Sequence, residues 1–166
     1  YSYSKHSSRM WAEKLGLNRF QEGDEELVSE LISVLQLTET DMTIFFRMLS
    51  TIQGPNPKHL APAFYNDEEI PQNEWNSWLA RWWERVDSRP DRGSMLSANP
   101  KYVLRNWMAQ LAIDAAEKDD YSVAQALHCM LKKPYEEQIE NEEKWFNRRP
   151  EWARNRVGCS MLSCSS

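Results

Sequence analysis

Apolar residues recur at the α-helical period along most of this 166-residue chain. The pattern is clearest around one apolar stripe, formed by Val103, Trp107 and Leu111. Asn99 is a good N-cap, and Pro100 suits the first helical position, where no backbone N–H donor is needed. The pattern therefore predicts a central helix from Asn99 to Lys118 with a buried stripe. Its polar face would carry Lys101, Arg105, Asp114, Glu117 and Lys118.

The same period predicts three helices in the first third of the chain. The first runs from about Ser7 to Leu15 and ends at Gly16, which suits the left-handed position after a helix. The second begins at the acidic residues 24–26, which favour a helix N-terminus. Its buried stripe would be Leu27, Val28, Leu31, Ile32 and Leu35. A third helix, capped by Thr38 or Thr40 in the segment Thr38-x-x-Asp41, would bury Phe45, Met48, Leu49 and Ile52.

The remaining segments continue this pattern. Residues 58–73 predict a loop with at most one helical turn, and Asn73 or Asn76 would cap a tryptophan-rich helix ending near Val86. Residues 88–93 break the pattern, and a short turn around 95–96 follows. A sixth helix ends at Pro134, another begins at Ile139, and the chain beyond Trp152 is expected to be tail.

No segment alternates at period two, so the class is all-α, an irregular bundle of about six to seven helices. We expect one helical domain over residues 1–153 and a flexible, cysteine-containing tail over 154–166. Because the sequence starts without Met and enters a helical pattern almost at once, we expect an excised or processed piece with a natural C-terminus.

Charge and composition narrow the functional classes. The net charge of −5 argues against a nucleic-acid partner, because phosphate contacts require a basic face. No apolar run approaches the roughly 20 residues of a membrane-spanning helix, and the N-terminus lacks the layout of a signal peptide. We therefore expect neither a nucleic-acid nor a membrane partner.

The eight tryptophans are the most conspicuous side chains. Trp78, Trp82 and Trp83 stand among arginines, which could form a surface for stacking bases. Acidic residues are interleaved with those arginines, however, and the tryptophans of this segment share a helical face. Core or interface packing is the better interpretation.

The sequence contains no motif that announces a catalytic or metal site. The three histidines, His6, His59 and His128, do not cluster, and no close pair of zinc ligands is present. A glycine-rich phosphate loop and the common hydrolase signatures are also missing from the sequence. Acidic pairs could act together only if the fold brought them into a cleft, which sequence does not reveal.

The cysteines are the remaining candidates. Cys129 lies on a predicted helix and is most simply a buried, small apolar residue. Cys159 and Cys164 lie in the expected tail, where little core could cover them, and exposed thiols are available for exchange. From the residues alone, two inert thiols in a reducing compartment remain the simpler interpretation.

Several motifs resemble the C-terminal part of the selenoprotein O family, called the YdiU group in bacteria. The sharpest is Asn-Pro-Lys-Tyr-Val-Leu-Arg-Asn at 99–106, continued by Ala-Gln-Leu-Ala-Ile-Asp-Ala-Ala at 109–116. Asp-Tyr-Ser at 120–122, Pro-Tyr-Glu-Glu-Gln at 134–138, Arg-Pro-Glu-Trp-Ala at 149–153 and a terminal Ser-Cys-Ser-Ser agree with it. Segments 10–17 and 45–47 match more loosely, so the resemblance spans nearly the whole chain.

The resemblance implies the helical C-terminal portion of a larger, kinase-like protein adenylyltransferase. Such proteins transfer AMP from ATP, with Mg or Mn, to hydroxyl side chains of protein substrates. Their catalytic motifs lie in an N-terminal part that nothing in this chain matches, so no catalytic, cofactor-binding or metal-binding residue is assigned here. The N-terminal kinase-like part would be this chain's partner, in the bacterial cytoplasm or alternatively in mitochondria.

One position carries over from the family. Its bacterial members end in a Cys-Ser-Ser whose cysteine pairs with a cysteine of the kinase-like part, and Cys164 matches it. By this resemblance Cys164 is a candidate redox latch, and Cys159 is a candidate resolving thiol. Two alternatives stay open from the residues: a free-standing helical interaction module without enzymatic role, and thiol–disulfide catalysis by the two tail cysteines.

Overall fold

The computed structural model describes residues 2–66, 70–156 and 159, with side chains from residue 6 onward. Within them lie nine α-helices and one 3₁₀ helix, and no strand is formed beyond an isolated bridge between Thr40 and Phe64. The all-α prediction is confirmed, with more helices than expected. The helices are α1 (Ser2–Leu15), α2 (Asp24–Leu35), α3 (Met42–Leu49), the 3₁₀ helix (Pro57–Ala63), α4 (Gln72–Arg85), α5 (Arg92–Ala98), α6 (Asn106–Ala116), α7 (Ser122–Leu131), α8 (Ile139–Trp145) and α9 (Glu151–Arg154).

The chain divides into two compact units, Tyr1–Asn99 and Pro100–Ser166. The first unit contains α1 to α5 and the 3₁₀ helix, and the second contains α6 to α9. The boundary between a domain over 1–153 and a tail stays a prediction. None of the described helices is both long and apolar enough to cross a membrane.

Tryptophans from one face of α4 form the centre of the first unit. Trp75, Trp78 and Trp82 are at most 1% exposed, which confirms their assignment to the core. The indole Nε1 of Trp78 donates to the carbonyl of Leu27 and that of Trp82 to the carbonyl of Leu15, each at 2.9 Å. These bonds join α4 to α2 and to the end of α1, so the tryptophans both fill the core and satisfy backbone acceptors.

Polar side chains tie together the carboxyl ends of three helices in the first unit. Arg47 of α3 donates to the carbonyls of Leu96 and Asn99 at 3.2 and 3.0 Å. The buried Asn99 side chain donates to the carbonyl of Lys14 and accepts from the Lys14 ammonium group, both at 3.0 Å. Cationic side chains suit these sites, because carbonyl groups at a helix C-terminus lack partners within the helix.

Gly16 follows α1 in the predicted left-handed conformation, with φ of 66°. A Cβ at this position would lie 2.7 Å from the Sδ of Met95, so the site requires glycine for space as well as for backbone angle. The end of the first helix is therefore confirmed, although α1 begins at Ser2 rather than near Ser7.

Several predicted details of the first unit are wrong. Ile32 is 42% exposed, and Val34 takes the expected place in the α2 stripe. The N-cap of α3 is Asp41, whose carboxylate accepts from the Ile44 N–H at 3.0 Å, and neither Thr38 nor Thr40.

The middle of the first unit also differs from the expectation. The segment expected to be mostly loop forms the 3₁₀ helix, and α4 starts after Pro71 without an asparagine cap. Arg92 and Gly93, expected to break the pattern, begin α5, which Asp91 caps.

The central helix is shorter than predicted, because α6 begins at Asn106 rather than at Asn99. Asn99 instead ends α5, and its side chain bonds to the end of α1. The following residues are held outside a helix because the N–H groups of Lys101 and Tyr102 both donate to the carbonyl of Pro134, at 2.8 and 3.1 Å. A good cap and a helical period were outweighed by these tertiary bonds.

The second unit packs α6 against α7 around its own hydrophobic cluster. The α7 prediction and the helix beginning at Ile139 are confirmed. Beyond Trp152, α9 continues to Arg154, and Ala153 is fully buried. The buried members of the cluster are Tyr102, Trp107, Met108, Leu127, Met130, Trp145, Ala153 and Cys159.

Candidate functional site

Cys159 lies in the core of the second unit rather than in an exposed tail. It is 1% exposed, and its N–H donates to the carbonyl of Arg156 at 3.1 Å. The expectation of an exposed thiol is therefore wrong for this residue. A free cysteine in such surroundings behaves as a small hydrophobic side chain.

Cys129 also differs from its prediction, but in the opposite direction. It was expected to be buried on its helix, yet it is exposed on the surface of α7. Its neighbours on the buried face, Leu127 and Met130, take the core positions that the helical period allows. Cys129 and Cys159 are both free thiols, and Cys164 lies outside the described residues.

An ion pair fastens the chain between α9 and Cys159. The guanidinium of Arg156 donates to both carboxylate oxygens of Asp114 on α6, each at 2.7 Å. Gln110 donates to the same carboxylate at 2.8 Å, and Arg156 also lies over the Trp152 ring at 5.7 Å. The bonds from Arg156, then those from Gln110, hold the pKa of Asp114 below its usual value. This bidentate geometry restricts both side chains more than a single contact would.

Lys101 forms a second polar anchor in this unit. Although it was expected on the polar face of a helix, it is only 5% exposed, and its ammonium group contacts the carboxylates of Glu137 and Glu142. It also lies 5.0 Å from the centre of the Phe146 ring. Burial by itself opposes the charge on Lys101, but the two carboxylates outweigh it, so the pKa of Lys101 is raised.

Arg105 and Tyr102 attach the same extended segment to neighbouring turns. Arg105 is 3% exposed and donates to the carbonyl of Asn147 at 3.0 Å. The hydroxyl of Tyr102 donates to the carbonyl of Gln138 at 2.9 Å, and burial raises the pKa of Tyr102. The segment 100–105 thus joins residues 134–147 to the cluster through backbone and side-chain bonds together.

Sequence reasoning missed this arrangement because its partners are far apart in the chain. Asp114 and Arg156 are 42 residues apart, and Lys101 and Glu142 are 41 apart. No local periodicity connects such pairs. The one available signal was that Lys101, Arg105 and Asp114 all fall within the matched motif segments 99–116.

The first unit carries a groove of about 570 Å³ between α2 and α4. Carboxylates and hydroxyls line most of it, with Val34 and Trp78 as its apolar part. One of its glutamates, Glu30, is paired with Arg81. The groove contains no histidine or cysteine among its lining residues, and no described group of three His, Cys, Asp or Glu side chains could hold a metal ion.

The three histidines, His6, His59 and His128, are all exposed. Within the described residues, the polar contacts above therefore attach separate segments of the second unit to one another. The Asp114–Arg156 ion pair and the buried thiol of Cys159 fasten the described residues after α9 to the second unit.

Comparison with known proteins agrees with the resemblance of the motifs. Curated relatives named protein nucleotidyltransferase YdiU occur in Flavobacterium johnsoniae, Aromatoleum aromaticum and Rhodopirellula baltica. They are 47, 43 and 42% identical to this chain over 95, 99 and 99% of its length. The chain is thus similar to proteins of the nucleotidyltransferase class.

The model of one family, protein adenylyltransferase SelO, matches residues 1–132. The chain belongs to this family. It covers 32, 33 and 35% of the three relatives, so it spans about a third of their length. The family model ends at residue 132, before Cys159 and Cys164, whereas the matches to the relatives cover 95 to 99% of the chain.

Proposed function

We propose that this chain is the helical regulatory and scaffolding portion of a protein adenylyltransferase. The whole protein would transfer AMP from ATP to Ser, Thr or Tyr hydroxyls of protein substrates, using Mg or Mn. Its active site would lie in the N-terminal kinase-like part, which is the partner of this chain. The observation that carries the proposal is the 47% identity to a protein nucleotidyltransferase over 95% of the chain.

The regulatory part of the proposal concerns Cys164. By the resemblance of its Cys-Ser-Ser ending, this thiol would form a disulfide with a cysteine of the kinase-like part and restrain the catalytic machinery. Reduction would release it. The described residues before it support this role, because Arg156 pairs with Asp114 and Cys159 is buried in the second unit five residues before Cys164.

The test uses the full-length parent protein with labelled ATP, Mg or Mn and a protein acceptor. Label transfer is measured with and without a reductant for the native sequence, for Cys164→Ala and for Cys129→Ala. We expect transfer that rises on reduction, and Cys164→Ala should be active without reductant. Cys129→Ala is the matched control, because it removes an exposed thiol outside the terminal segment and should leave the response unchanged.

Two outcomes would overturn parts of this proposal. Transfer that is indifferent to Cys164 would leave the enzyme and remove the latch. No transfer under any condition would favour the alternative, a helical interaction module without enzymatic role.

A further inference from the structure

The groove between α2 and α4 has no role in the function proposed above. Its volume is about 570 Å³, and its α2 wall extends from Glu26 to Val34. These residues span roughly 12 Å of helix, because each helical residue rises about 1.5 Å. An extended chain of about four residues has the same length. The dimensions of the groove therefore suit a short peptide segment.

The negative charge of the chain is concentrated in the unit that contains this groove. Residues 1–99 include 15 acidic and 10 basic residues, whereas residues 100–166 include 10 of each. The net charge of −5 therefore belongs entirely to the first unit. Three of its acidic side chains, Glu26, Glu30 and Glu74, line the groove. Charge complementarity at such a surface favours a cationic partner.

Two of these three carboxylates are not neutralised by the protein itself. Glu26 and Glu74 form no ion pair with any residue that the structure describes. Glu30 is paired with Arg81, and the side chains of this pair are 44 and 46% exposed. An ion pair with that much exposure contributes little stability, so a cation of a ligand can compete with Arg81 for Glu30.

The rest of the lining offers contacts to a peptide backbone and to one apolar side chain. Val34 and Trp78 are buried and form a small apolar floor. The hydroxyls of Ser29 and Ser77 and the amide of Asn73 bond to no side chain or backbone group in the described ranges. They can therefore bond to a peptide backbone. An extended segment presents unpaired backbone groups, whereas a helix has paired its own.

We propose that this groove binds an extended, basic segment of a partner protein. Lys or Arg side chains of the segment pair with Glu26 and Glu74 and compete with Arg81 for Glu30, and an apolar side chain covers Trp78. This inference goes beyond the proposed function and does not depend on it, because docking at the groove requires neither nucleotide nor AMP transfer.

The first test measures binding of labelled peptides to this chain by fluorescence anisotropy. The probe is a peptide of about eight residues that alternates arginine and leucine, and two matched peptides carry glutamine or glutamate in place of every arginine. We expect the arginine peptide alone to bind. Its affinity should decrease as salt is raised from about 50 to about 300 mM, because salt screens exposed ion pairs.

The second test removes the two unpaired carboxylates. Glu26→Gln combined with Glu74→Gln should weaken binding of the arginine peptide roughly tenfold, because each exposed pair accounts for up to about fivefold. Glu25→Gln combined with Glu84→Gln is the matched control. It removes the same charge from exposed positions of the same two helices, outside the groove lining, and should change the affinity less than about twofold. Circular dichroism establishes that both variants remain folded.

Arg81→Gln tests the groove in the opposite direction. It releases the carboxylate of Glu30 from its partner, so the arginine peptide should bind up to about fivefold more tightly. A loss of affinity in this variant would contradict competition between Arg81 and the ligand and would overturn the proposed binding mode.

Four further results would overturn the proposal. Absence of binding at millimolar arginine peptide would remove the site, and equal losses in the two double variants would mean general attraction to an acidic surface. Equal binding of the glutamine peptide would exclude charge recognition. Displacement by spermidine at the same concentration of positive charge would indicate a site for small cations. None of these results affects the transferase, which is tested separately by label transfer.

Discussion

The two compact units attach their segments to a core in different ways. In the first, long helices meet along apolar stripes, and buried side chains such as Trp82 and Arg47 donate to backbone carbonyls at helix ends. In the second, an extended segment is held by buried cations, with Lys101 on carboxylates and Arg105 on a carbonyl.

The difference shows that two kinds of interaction stabilise the fold of this chain, apolar burial and specific polar bonds. Apolar stripes bury area without regard to the exact partner, so they tolerate sequence change and produce long helices. Buried cations require particular acceptors at particular distances, because an unpaired buried charge is costly. The second unit therefore depends on a few specific bonds between residues that lie far apart in the sequence.

The largest expected effect comes from emptying the tryptophan core of the first unit. Trp82→Ala removes a side chain with no exposed surface and should lower the free energy of unfolding by about 3 to 5 kcal/mol. Urea denaturation followed by circular dichroism measures this change. Trp152→Ala, at a site 44% exposed, is the control and should cost far less. Similar losses for the two variants would contradict the assignment of the core.

A matched pair of tryptophans separates packing from hydrogen bonding. The indole N–H of Trp82 donates to a carbonyl, whereas that of buried Trp107 has no partner among the described residues. Trp82→Phe should therefore cost about 1 to 3 kcal/mol more than Trp107→Phe, because only the first change leaves a buried acceptor without its donor. Equal losses in urea denaturation would mean that the indole bond contributes nothing beyond packing.

Lys101→Met tests the polar anchor of the second unit. Methionine preserves most of the buried stem but removes the charge shared by Glu137 and Glu142. Because both carboxylates are about half-exposed, we expect a loss of only about 1 to 2 kcal/mol. Lys133→Met removes an exposed pair with Glu136 and is the matched control, with an expected change near zero. No difference between these variants in urea denaturation would show that the anchor is structurally neutral.

The same anchor predicts a pH dependence at the alkaline end. The pKa of Lys101 is raised in the folded chain, so its contribution is complete below the unfolded pKa and disappears as pH rises through the folded value. The raised pKa of Tyr102 acts in the same direction, so stability should decrease above about pH 10. Unfolding measured from pH 8 to 11 should show a smaller decrease for Lys101→Met. A steeper decrease in that variant would reverse the sign we assign.

These contrasts explain how much the sequence could predict. The helix ending at Gly16 and the core tryptophans of α4 follow from periodicity and local backbone preference, which act over a few residues. The start of α6 did not follow, because bonds to Pro134 outweighed a good cap at Asn99. Burial of Cys159 was also missed, since it depends on a cluster assembled from residues as distant as Tyr102. Both predictions failed because a contact between residues far apart in the sequence determined the structure.

The smallest expected effect concerns a strained turn at the end of α4. Ser88 has φ of 56°, in the left-handed region where an L-residue with a Cβ is disfavoured, and it is exposed. Ser88→Gly should stabilise the first unit by up to about 1 kcal/mol, because relief of this strain exceeds the added entropy of the unfolded chain. Asp87→Gly, at φ of 50°, should gain less, since aspartate tolerates this conformation better than serine. Urea denaturation of the two variants gives the comparison, and a loss of stability in Ser88→Gly would mean that the added entropy of the unfolded chain outweighs the relief of strain.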